Sequence, residues 1–204
     1  MAPRTLSRST FVLISLIALL AAAFLPMQTA AAAGLPAVTS DLASFTLSVQ
    51  NGQAGVVRGV YVDNVLAYPV IQQPSYNGNY VSDRDGVITE FGAARSNGNV
   101  GLLAHNTLVG KFFSNLKVGQ TVTLVYGDGR TESFVITQIL RYAALSPYSA
   151  TSEFKNLDTN ITVTASQLFS NAYSGSRHVT FQTCIEYNGN KSWGRLFVIA
   201  VPLK

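Results

Sequence analysis

One cysteine, two histidines and one tryptophan are all that this 204-residue chain holds of those types, and only 12% of it is charged. A single cysteine excludes an internal disulfide, so Cys184 is inert packing, an intermolecular link or a nucleophile. No CxxC or HExxH spacing is present, nor a Gly-rich phosphate loop or heptads, so neither a metal nor another cofactor is predicted. The formal net charge is +4 and falls to about +2 without Arg4 and Arg8. With no Lys/Arg run and no aromatic-basic interleaving, the chain predicts no nucleic-acid partner.

What is present begins with a leader. Arg4 and Arg8 precede an apolar stretch from Phe11 to Leu25, followed by Pro26 and the small-residue tract Ala30 to Gly34. That order predicts a secretory signal cleaved near Ala31 to Ala33. The same residues also suit an uncleaved anchor, because Ala30 to Ala33 extend the apolar run towards the roughly 20 residues of a membrane span. Residues 1–33 are therefore a signal peptide or anchor, and any membrane contact is confined to them. The expected location is exported and extracytoplasmic, either secreted or anchored. Residues 34–204 are expected to form one domain, long enough to bury a core without disulfides.

Beyond the leader, Val, Thr, Ile, Tyr and Phe are punctuated by Gly, Asn and Asp every eight to twelve residues, which predicts an all-β domain of short strands. The pair Asp63-Asn64 within Val56 to Tyr68 suits a tight turn, and Gly127-Asp128-Gly129-Arg130 suits a hairpin between Thr121–Tyr126 and Thr131–Leu140. A short helix capped by Asn106 is expected over Thr107 to Asn115, with Leu108, Phe112 and Leu116 on one face. A second is expected over Ala165 to Tyr173, with Leu168 and Phe169 inward. Ala143 to Asn160 reads as a long surface connection. Arg177 to Cys184 and Arg195 to Pro202 read as central strands, and a closed or nearly closed antiparallel barrel would hide the edges.

A thiol becomes a nucleophile when a base or positive field favours its thiolate. His178 lies six residues before Cys184 on the same strand, roughly 20 Å away at about 3.3 Å per residue, which excludes it as the partner. His105 ends the apolar run Val100-Gly101-Leu102-Leu103-Ala104 at a strand-to-helix junction and is the better candidate. The bland alternative is a turn-bonded His105 and a buried, unreactive Cys184.

Thr180-Phe181-Gln182-Thr183-Cys184 resembles the TLxTC signature of the sortases, with Phe in place of Leu. Gly101-Leu102-Leu103-Ala104-His105-Asn106, followed by Phe112 to Gln120, is similar to the histidine segment of that family, and Arg195 to Ala200 resembles its arginine strand. The resemblance covers about Asn99 to Val201 and is less distinct from Leu35 to Gly98. It implies a closed eight-stranded sortase-like β-barrel with short helices. It also implies a cysteine transpeptidase that cleaves an LPxTG-like sorting signal through a thioacyl intermediate and passes it to an amine. Under that resemblance Cys184 is the nucleophile, His105 the proton shuttle and Arg195 the oxyanion or substrate-backbone contact. The implied partners are a protein or peptide carrying the signal and an amine acceptor such as a cell-wall precursor or pilin lysine at the bacterial surface.

Strand parity puts Thr180 and Gln182 on the face of Cys184, where they would line the groove, while Phe181 and Thr183 turn away; Thr183 still offers its backbone beside the thiol. Trp193, in the short stretch Ile185 to Gly194, either walls the site or packs as a core side chain. Asp83, Asp85 and Glu90 form a weak acidic cluster, read as a turn and solvated surface. The competing function is a non-catalytic extracellular β-barrel that binds peptide, which would tolerate Cys184→Ala.

Overall fold

The structure, a computed structural model, describes residues 41–149 and 151–204; the leader expected over residues 1–33 lies outside them. Among the described residues ten strands form one sheet: β1 (Val57–Val62), β2 (Leu66–Gln72), β3 (Ile88–Phe91), β4 (Val100–Leu103), β5 (Thr121–Tyr126), β6 (Thr131–Ala144), β7 (Phe154–Asn156), β8 (Thr162–Val163), β9 (Val179–Tyr187) and β10 (Asn190–Pro202). Eight of them, in the order β10-β9-β4-β3-β2-β1-β5-β6, close into a barrel because β6 also pairs with β10. Strands β7 and β8 continue outward from β6. Closure satisfies the backbone edges that an open sheet would expose.

Local chemistry builds the two hairpins. Asn64 takes φ 57°, a left-handed conformation that Asn tolerates, and Val65 N–H donates to Val62 at 3.0 Å to close the β1–β2 turn. Gly129, at φ 84°, donates to Tyr126 at 2.9 Å to close the β5–β6 turn. The expected antiparallel barrel is corrected in two places: β2 pairs β3 in parallel, and β4 pairs β9 in parallel. Residues 73–87 and 104–178 carry the chain back to the starting end before each second strand, which hairpins cannot do.

Alternate side chains fill the barrel, with Phe113 and Phe181 meeting edge to face at 5.1 Å between ring centres. On its outside, α3 (Ala165–Tyr173) packs Leu168, Ala172 and Tyr173 over Tyr142, Phe154 and Phe197. This helix starts with a capping box between Thr164 and Gln167. Among the described residues two further short helices go beyond the two that the sequence predicts. In α1 (Leu42–Val49), capped by Asp41, Phe45 is buried beside Ala67 and Val125; a Cβ on Gly59 would stand 2.8 Å from the Phe45 ring. The other, α2 (Gly92–Ser96), follows β3 directly.

The helix expected over Thr107 to Asn115 is a 3-10 helix, Val109–Asn115, with Leu108 at its N-cap. Asn106 is not its cap: its side-chain amide donates to the Lys191 carbonyl at 2.9 Å. The tighter repeat buries Val109 and Phe113 and leaves Phe112 half-buried, stacked on Tyr68. Ala143 to Asn160 is not one surface connection either. The end of β6 and β7 pair within it, and Ser152, Phe154 and Asn156 are buried.

Candidate active site

Three neighbouring strands deliver the candidate residues to one end of the barrel. Strands β4 and β9 run parallel with Leu103 opposite Gln182, and extending that register by two residues sets His105 level with Cys184. Strand β10 runs antiparallel to β9 with Arg195 directly opposite Cys184. Adjacent strands lie about 4.8 Å apart, so the three residues form a row across the sheet. All three line one cleft of about 460 Å³. His105 is exposed, and Cys184 and Arg195 are half-buried.

The row is held from below. Ala104 N–H donates to the Gln182 carbonyl at 3.3 Å, and the buried Thr183 hydroxyl donates to the Ala104 carbonyl at 2.9 Å. These bonds tie the residue before His105 to those before Cys184. The His105 carbonyl then accepts from Leu108 at 2.9 Å and Gly110 at 3.0 Å, which fixes the turn leaving the strand. Only glycine fits at position 110, because a Cβ there would lie 2.4 Å from Thr183 Oγ1 and 2.5 Å from the Ala104 oxygen.

Arg195 is oriented by its own chain, with Nη1 donating to the carbonyls of Ser192 at 3.0 Å and Gly194 at 2.8 Å. Its guanidinium stands 6.0 Å from the centre of the Phe154 ring. Gln182 lines the cleft and accepts from the Tyr173 hydroxyl. Burial pushes the Tyr173 phenol far up, so it stays a neutral donor.

Other expected residues lie elsewhere. Thr180 is buried beneath α3 and donates to the Ala172 carbonyl at 2.6 Å, so it does not line the cleft. Thr183 reaches the cleft wall while its side chain bonds inward to Ala104. Trp193 lies outside the cleft lining, against Tyr187 at 4.8 Å between ring centres. His178 is buried at the opposite end of β9, its ring nitrogens 2.7 Å from the Ser176 oxygen and 3.0 Å from the Ala172 oxygen. Asp83 and Asp85 are exposed on a turn, whereas Glu90 is buried beside a separate hollow of about 240 Å³ with Arg95 and Arg177. Burial raises the Glu90 carboxyl above the usual range. No cluster of three His, Cys, Asp or Glu suited to a metal occurs among the described residues.

Asn79, Val81, Phe91, Ser149 and Phe154 complete the cleft. They come from three separate segments, and no local pattern marks them as neighbours of Cys184. Among the described residues no helix is long and apolar enough to cross a membrane.

No known family profile and no curated protein matches the chain. Among solved structures it is similar to sortase A of Listeria monocytogenes, with 13% identity and a TM-score of 0.48 over 73% of this chain and 88% of that one. It is similar also to sortase E1 from Streptomyces coelicolor, solved with a tripeptide in the active site, at 16% identity and a TM-score of 0.46 over 76% and 91%. A third is Clostridium perfringens sortase C solved with the C-terminal cell wall sorting motif, at 15% identity and a TM-score of 0.46 over 78% and 75%.

Proposed function

We propose that this protein is a cysteine transpeptidase of the sortase type, acting outside the bacterial cytoplasm on peptides that carry an LPxTG-like signal. The observation that carries the reading is the row of His105, Cys184 and Arg195 at the shared end of β4, β9 and β10, open to one cleft. A nucleophile, a proton carrier and a fixed cation within one row suffice for acyl transfer.

In this reading Cys184 Sγ, as thiolate, attacks the carbonyl of the signal's threonine. Negative charge develops on the carbonyl oxygen, and the Arg195 guanidinium stabilises it where the cleft walls limit water. The imidazolium of His105 gives its proton to the departing amine, the C–N bond breaks, and a thioester remains on Cys184. An incoming amine then attacks the thioester, His105 takes its proton, and the thiolate leaves. Gln182 offers its amide to the peptide backbone, and Thr183 holds the two strand ends together from below.

The test is intact-mass and product analysis of the full chain incubated with LPxTG-like peptides and a glycine amine. The expected result is a thioester adduct and Thr-Gly cleavage, both absent in Cys184→Ala. Equal peptide binding by both proteins without chemistry in either would instead identify a binding module.

A further inference from the structure

Cys184 opens onto two hollows. The cleft already described holds His105 and Arg195. A second, of about 250 Å³, also reaches Cys184 and Thr183 but is walled by Asn106, Lys111, Ser114 and Glu186. Consecutive residues, His105 and Asn106, thus face different hollows, and Cys184 is at the boundary. The bond from Asn106 to the Lys191 carbonyl ties this wall to the β9–β10 turn.

Transfer needs a second substrate to reach a thioester while the first peptide still fills its own cleft. We propose that the second hollow receives the acceptor, and that it selects an amine whose carbon also bears a carboxylate, the head group of an amino acid. This rests on the transpeptidase reading and specifies its acceptor. Glu186 is on the face of β9 that carries Cys184, two residues further on, and is exposed. It is the one carboxylate in the wall and attracts the ammonium group. Lys111, also exposed, is the one cationic residue of the wall, and its ammonium stands 5.0 Å from the centre of the neighbouring Phe112 ring, from where the exposed side chain can swing to a bound carboxylate. An acceptor carrying only positive charge would be repelled by Lys111, whereas one carrying both charges is attracted at both ends. Neither Lys111 nor Glu186 is in an ion pair among the described residues.

The bound ammonium gives one proton to water, its nitrogen forms the C–N bond, and the C–S bond breaks to leave the Cys184 thiolate. His105 takes the second proton.

Two readouts test this with the full chain. In the first, peptide transfer is titrated with glycine and with glycinamide, which lacks the carboxylate, while acyl-enzyme is followed by mass. Wild type should saturate at a lower concentration of glycine than of glycinamide. Glu186→Gln should raise the half-saturating concentration of both by about two- to fivefold, and Lys111→Gln should abolish the preference for glycine. In the second, backbone amide NMR shifts are followed on adding each probe to unacylated protein; glycine should move the signals of Lys111, Ser114 and Glu186 more than glycinamide does. Lack of acylation in wild type would sink the transpeptidase reading alone, and the NMR readout would still decide the hollow. Wild-type and variant proteins that respond identically to both probes would overturn the acceptor site.

Discussion

The two ends of the β4–β9 pair are built from the same kinds of residue and finished in opposite ways. At the starting end the side chains of Asn99 and His178 are tied. Asn99 accepts from His178 N–H at 2.9 Å and donates to the Tyr173 carbonyl at 2.9 Å, and Val100 N–H donates to the His178 carbonyl at 3.1 Å. Nearby, Arg177 bonds Glu132, Tyr126 and the Gly98 carbonyl. At the finishing end His105, Cys184 and Arg195 line an open cleft, with only Nη1 of Arg195 bonded to carbonyls among the described residues. The ring of one histidine, His178, is held by two carbonyls, whereas that of the other, His105, makes no hydrogen bond among the described residues and lines the cleft. A polar side chain therefore reports function through what it is not bonded to, and residue type alone does not distinguish His105 from His178.

The sharpest way to break the comparison is to delete the open end. Cys184→Ala should remove transfer entirely, His105→Ala should lower it by about 10²–10⁴-fold, and Arg195→Ala by about 10²–10³-fold. Each should melt within a few degrees of wild type in circular dichroism; His105→Ala retaining full activity would refute the proton shuttle.

Next in size is the packing between the two ends. Phe181 is fully buried against Phe113, so Phe181→Ala should cost about 3–5 kcal/mol in urea unfolding.

Deleting the closed end should cost stability and spare chemistry. Asn99→Ala strands the His178 amide and the Tyr173 carbonyl and should cost about 1–3 kcal/mol in the same assay. His178→Ala should lower the melting temperature while peptide transfer by the folded fraction changes little. A loss of transfer as deep as that of His105→Ala would show the two ends to be coupled.

The smallest effect is in the acid limb. Burial disfavours the Glu132 carboxylate, but its bonds to Arg177 and Tyr126 outweigh this and hold it below the usual range. A lowered carboxyl stabilises the fold above its unfolded value of about 4.3 and loses that contribution as pH falls through the folded one. Glu132→Gln should flatten the fall in stability below about pH 4.3, read from melting temperature against pH. Glu90 has the opposite sign: its raised carboxyl favours the fold below its ordinary range, and that contribution is lost as pH rises.

Much of the architecture was legible because it is local. The Asp63-Asn64 and Gly127 to Arg130 turns, the strand leading to Cys184 and the helix over Ala165 to Tyr173 follow from short-range turn chemistry and periodicity. The parallel pairings were not legible, since a parallel partner is 16 or more residues away and leaves no spacing signal. The 3-10 helix differs from the expected one because Gly110 must approach Thr183 and Ala104 closely, a demand set by another strand. Parity puts Thr180 on the face of Cys184, but α3 covers that stretch of the strand, so the residue is buried and does not reach the groove.

By itself the sequence determined the strand-rich class, the alternation that puts Phe181 and Cys184 on opposite faces, and the exclusion of disulfide chemistry within the chain, because these depend on residue type and on neighbours a few positions away. Only the tertiary structure decided that His105, Cys184 and Arg195 share one row, that His178 is locked, and that Cys184 opens onto two hollows. Those are matters of register between distant strands, which barrel closure sets and no local segment encodes.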